Sequence, residues 1–156
     1  MKMKLLVEIA PGELLDKLTI LEIKSKMIKD VDKLKNINKE YDLLFGKFLE
    51  LKNECDDNIS KEATRLLSEL KKINAKIWDI EDDIRNCERK NSFNEHFIQL
   101  ARSVYHTNDK RASIKKEINI LFQSDIAEEK SYTSYVKKTS AENVKECNKL
   151  TAKYKK

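Results

Sequence analysis

Glycine and proline are almost missing: the chain of 156 residues has two glycines and one proline. That scarcity leaves little material for tight hairpin turns, glycine-rich phosphate loops or dinucleotide fingerprints, so an all-α chain is expected. Aromatic side chains make up 7%, whereas charged residues reach 38% and hydrophobic ones 40%. Such a balance suits long amphipathic helices or a coiled coil and is too apolar for disorder. No apolar run approaches the ~20 residues that span a bilayer. The basic residues 1–4 precede only a short apolar run, 5–10, broken by Glu8, so no signal peptide is expected. Cys55, Cys87 and Cys147 are odd in number, widely spaced and free of any CxxC; reduced thiols and a cytoplasmic location follow as expectations.

What is abundant is charge, unevenly placed. Residues 130–156 hold eight lysines against Glu142 and Glu146, whereas the preceding 129 residues carry 24 basic and 25 acidic side chains. The expected organisation is one helical-bundle domain over 1–136 with a basic amphipathic tail over 137–156. In that tail Val144, Cys147, Leu150 and Tyr154 oppose Lys145, Lys149 and Lys153. Tail-mediated nucleic-acid binding is therefore the third function considered, but no aromatic platform interleaves these lysines beyond Tyr154, and nucleic acid is not the expected partner.

The stretch that organises the rest is PGELLDKLTILEIKSKMI, residues 11–28. At about 100° per residue, Leu14, Leu18, Leu21 and Ile28 form one arc, and Ile20, Ile23 and Met27 form another nearly opposite. A helix with two apolar arcs needs partners on two sides. Pro11 suits its first position and Glu13 its first turn, but Ala10 is a poor N-cap. The preceding segment Leu5-Leu6-Val7-Glu8-Ile9 reads as extended, to lie along the helices or to pair with its copy in a dimer.

Heptad seams follow. Leu34, Ile37, Tyr41, Leu44, Phe48 and Leu51 form one, and Leu66, Leu70, Ile73, Ile77, Ile80, Ile84 and Cys87 the next. With Asp30 or Asp32 opening the first, an acidic loop at 54–60 between them and Ser60 as cap of the second, they should form an elongated, coiled-coil-like antiparallel hairpin of 31–54 with 60–89. Ser92-x-x-Glu95 reads as a capping box for a further helix over 93–122, and Ser124-Asp125 as the start of a short one over 126–135.

In the 93–122 helix one stripe runs Phe97, Val104, Arg111, Ile118 and its neighbour Leu100, Thr107, Ile114, Leu121. Arg111 and Thr107, with Asn108 beside them, break an apolar seam, and a polar layer inside a bundle requires partners. Two readings follow. Either Arg111 forms an ion pair with Glu22, Asp16 or Glu13 of the first helix, or Arg102, Arg111 and Lys17, with Tyr105 and Asn108, hold an anionic small molecule while Glu22 or Asp16 moves a proton.

Other chemistry is thin. Asp79, Glu81, Asp82, Asp83 and Glu88 invite a magnesium reading, but Glu13-x-x-Asp16 is the only helical pair to face them, and no metal is expected. His96 and His106, ten apart, lack the Glu-x-x-His or His-x-x-x-His spacing of a zinc or di-iron centre and read as surface histidines. Trp78 lies off its seam and is expected to be buried within the fold.

Three stretches carry a resemblance: PGELLDKLTILEIK, WDIEDDIRNCE and LARSVYHTNDKRASIKKEIN. Through them the chain resembles a family of small helical bacterial and phage proteins of unknown function, over about residues 7–132, with Ala10 standing where serine is expected. The resemblance implies an all-helical fold and brings no reaction, cofactor or catalytic residue. The expected function is a non-enzymatic interaction or scaffold module that self-associates or takes a protein partner, with no cofactor. A small helical enzyme or anion binder is the alternative.

Overall fold

The computed structural model describes residues 5–135. Four helices form an all-α bundle: α1 (Pro11–Met27), α2 (Val31–Asn53), α3 (Asp57–Arg89) and α4 (Glu95–Leu121). No residue among those described is in a β-strand. The basic segment over 137–156, including the amphipathic stretch after Ser140, lies outside the described residues.

α1 is the central element, in contact with α2, α3 and α4 alike. Its two-sided pattern is the cause. Leu14, Leu15 and Leu18 join Phe48 of α2, Ala63, Leu66 and Leu70 of α3 and Ile118 of α4 in one core. Leu15, Leu70 and Ile118 have no exposed surface. Burying each such side chain contributes about 1.5–3 kcal/mol. Of the second arc, Ile23 is buried and Ile20 half-buried, while Met27 is exposed.

The hairpin expected of 31–54 with 60–89 forms differently. α2 and α3 are consecutive and meet over a short stretch, but the extensive partner of α3 is α4, and α2 lies mainly on α1. The reason is competition: α1 offers α2 an apolar arc, which leaves the long seam of α3 to α4.

Helix ends are set by carboxylates and amides more than by serines. Asp30 Oδ1 accepts from Lys33 N at 2.9 Å, one of the two caps expected there. Asp56 Oδ1 accepts from Asn58 N and Ile59 N at 2.8 and 2.9 Å, so α3 starts before Ser60, where an anion suits the helix dipole. Ser92 does not open α4. Its N–H donates to Cys87 O at 2.9 Å and Asn91, at φ 50°, donates to Glu88 O, a paired closure of α3 that occupies the serine backbone. Asn94 caps α4 instead, accepting from His96 N and Phe97 N. The same closure ends α4, with Gln123 at φ 50° and Ser124 N donating to Asn119 O.

The short helix expected over 126–135 is not formed. Ser131, Thr133 and Ser134 favour non-helical backbone, and the segment is tied back along α4 by polar contacts. Glu128 bonds Lys115, and Tyr135 Oη donates to Asp109 Oδ2 at 2.6 Å. Residues 5–9 are in neither helix nor strand, and they do not lie along the helices: Leu6 is 93% and Val7 69% exposed.

Candidate functional site: a polar ladder between the first and fourth helices

α1 and α4 run antiparallel and meet through three polar rungs at four-residue steps on α4. At the first, Gly12 N donates to Asn119 Oδ1 at 2.7 Å. Ala10 offers no side-chain cap, so an acceptor 107 residues away satisfies an amide of the first turn. At the second, the Lys115 ammonium, nearly buried, bonds Glu13 and, at 2.7 Å, Glu128. At the third, Arg111 Nη2 lies 3.2 Å from Asp16 Oδ2.

The third rung is the most deeply set. Asp16 is 4% exposed, Thr19 0% and Asn74 of α3 4%. Asn74 Nδ2 donates to Asp16 Oδ1 and to Thr19 Oγ1, both at 2.8 Å, and Thr19 Oγ1 donates to the Asp16 carbonyl at 2.8 Å. Each carboxylate oxygen of Asp16 is thus already held by a donor. Arg111 is partly open. Its side chain is 29% exposed and lines a cavity of about 440 Å³ with Ile20, Ile23, Asn74, Trp78 and Asp82. Trp78 Nε1, also on this wall, is buried without an acceptor among the described residues.

Of the residues singled out from the sequence, this geometry unites Glu13, Asp16, Asn108 and Arg111, Asn108 Oδ1 standing 3.5 Å from Arg111 Nη1. The others lie elsewhere. Lys17 pairs with Glu40 of α2 at 2.6 Å, and Glu22 bonds Lys71 and the Tyr41 hydroxyl. Burial, then the charge and hydrogen bond of Glu22, push the Tyr41 phenol upward. Arg102 is exposed and lines a different groove. Tyr105 packs at a tilt against His106 and Tyr135; His106 is half-buried and only His96 is fully at the surface. Asn74, Thr19, Lys115 and Asn119 were missed. Stepping four and eight residues on from Arg111 finds the last two.

Among the described residues no group of three His, Cys, Asp or Glu side chains is placed to hold a metal. Cys87 is buried in its seam, and Cys55 is half-buried; both are free thiols.

Burial alone would lower the Lys115 pKa, but the hydrogen bonds it donates to Glu128 and Glu13, with the charges of Glu13 and Asp16, outweigh it and leave the group above its ordinary value. Glu128 is lowered from its ordinary 4.5, first by the bond from Lys115. Its contribution to stability is present above pH 4.5 and is lost as pH falls through the lower folded value. Glu128→Gln should therefore cost less than about 1 kcal/mol at pH 7, as for other part-exposed pairs, with a smaller deficit at a pH well below 4.5. Urea melts at the two pH values check this; a deficit constant with pH contradicts it.

The fold and this ladder define a four-helix bundle knit by a polar layer. The chain belongs to the family of unknown function DUF6165, whose model matches residues 3–151. No curated protein and no solved structure matches it. No helix among the described residues is long and apolar enough to cross a membrane.

Proposed function

We propose that the protein is a non-enzymatic helical interaction module, acting in the cytoplasm and self-associating by strand pairing of its exposed apolar segment ahead of α1. The observation that carries this reading is the exposure of Leu5, Leu6, Val7 and Ile9, at 88, 93, 69 and 48%. Leu5, Val7 and Ile9 alternate onto one face of an extended chain. An apolar extended segment with unpaired backbone groups is a template for strand pairing with a second copy.

The non-enzymatic part is supported by the state of Asp16, the one deeply buried carboxylate among the described residues, whose two oxygens are held by Asn74 and Arg111. The separation of Lys17 and Arg102 from Arg111 likewise weighs against the composite anion site. The free thiols of Cys55 and Cys87 agree with a reducing compartment.

Sedimentation equilibrium of the full chain across micromolar concentrations tests it. The wild type should dimerise, and Val7→Pro, which removes a ladder N–H without touching a helix, should weaken the dimer tenfold or more. A monomer throughout, or a dimer indifferent to Val7→Pro, overturns the reading.

A further inference from the structure

On the outer flank of the bundle, away from the ladder, α3 and α4 enclose a groove of about 220 Å³. Lys76 reaches it from α3. Arg102, His106 and Lys110 reach it from α4, at steps of four that put them on one face, with Thr107, 3% exposed, beneath. No carboxylate is among the residues lining it.

Lys76, Arg102 and Lys110, which line the groove together, have no ion-pair or hydrogen-bond partner among the described residues. The acids close to these residues in sequence form no ion pair with them. Glu95 accepts from the Gln99 amide, Asp109 accepts from Tyr135, and the exposed Asp79, one turn beyond Lys76, makes no bridge to it.

We infer that this groove is a binding site for the phosphate group of a small molecule, a phosphomonoester or diphosphate. Three uncompensated positive charges converging on one concavity repel one another when it is empty, and a multiply charged anion relieves that repulsion. Arginine supplies a planar fork for two phosphate oxygens, and the lysines supply point charges from either side. Size sets the class. Pockets for drug-sized ligands run about 300–1,000 Å³, so this one accommodates a phosphate or diphosphate head with the remainder of the molecule outside. The inference does not depend on the self-association reading, because the groove is complete within one chain.

Titration calorimetry of the full chain with pyrophosphate tests it at low and moderate salt. Saturable binding of one equivalent is expected, weakening as salt rises. Arg102→Gln and Lys76→Gln, both at exposed positions, should each lower the affinity tenfold or more. Lys47→Gln removes the same charge from the exposed face of α2 and should leave it unchanged. A nucleoside diphosphate and inorganic phosphate run alongside show whether more than the phosphate head is read; either ranking upholds the groove. Absence of saturation with any of the three, an equal loss in Lys47→Gln, or binding of a single-stranded oligonucleotide alone overturns it.

Discussion

Arg111→Ala is expected to lower the unfolding free energy by about 3 kcal/mol, the lower edge of the 3–5 kcal/mol typical when one member of a buried pair is removed. The direction follows from what remains. Asp16, 4% exposed, would be left in a dry layer with Asn74 as its one remaining side-chain donor among the described residues. The lower edge applies because Arg111 itself is part-exposed to the cavity beside Trp78, so its loss lets some water reach the carboxylate. Asp16→Ala should cost less, about 1–3 kcal/mol, because it strands one amide proton of Asn74 and leaves a guanidinium that can turn toward water. Combining the two changes should then cost less than their sum, since the carboxyl group stranded by the first is gone in the second. Urea denaturation of the four proteins in the cycle measures this. An arginine kept only for a ligand would be removable at little cost in stability, and a loss under 1 kcal/mol with strict additivity would assign Arg111 to that role.

Why Arg111 was visible in the sequence and its setting only partly so has a physical basis. An arginine at every-seventh spacing with Phe97, Val104 and Ile118 is conspicuous because seams tolerate few charges. The two arcs of α1 likewise announce a helix covered on both sides. Which acid answers Arg111 was not legible: Glu13, Asp16 and Glu22 all lie on the first helix, and only the relative height of α1 and α4 sends Glu13 to Lys115, Asp16 to Arg111 and Glu22 to Lys71. Lys115 sits in a Lys-Lys pair that reads as solvated surface, although its neighbour Lys116 is the one exposed. Asn74 lies between Ile73 and Ile77, where an apolar seam draws attention away from it. Helix pairing was hidden for a related reason. Heptads state that a face must be covered without stating by what, and α1 claims the partner that the chain order would assign to α3.

The same substitution at the two glycines should have opposite signs. A Cβ on Gly12 would stand 2.7 Å from the Lys115 carbonyl oxygen and 2.8 Å from Asn119 Oδ1. The carbonyl cannot step aside without moving α4, so Gly12→Ala must part the helices where the ladder joins them. Overpacking of this kind costs about 1–3 kcal/mol, and loosening the bond from Gly12 N to Asn119 removes the substitute for a missing N-cap, worth about 1 kcal/mol. The better helix propensity of alanine returns no more than about 1 kcal/mol. The net expectation is a loss of about 1–3 kcal/mol in thermal or urea unfolding. Gly46, inside α2, has nothing within 4 Å of the same Cβ, so Gly46→Ala meets only the propensity term and should stabilise by up to about 1 kcal/mol. If Gly12→Ala also stabilised, α1 and α4 could not be in the contact that sets every rung from Asn119 to Arg111, and the partner of Asp16 would have to be sought elsewhere.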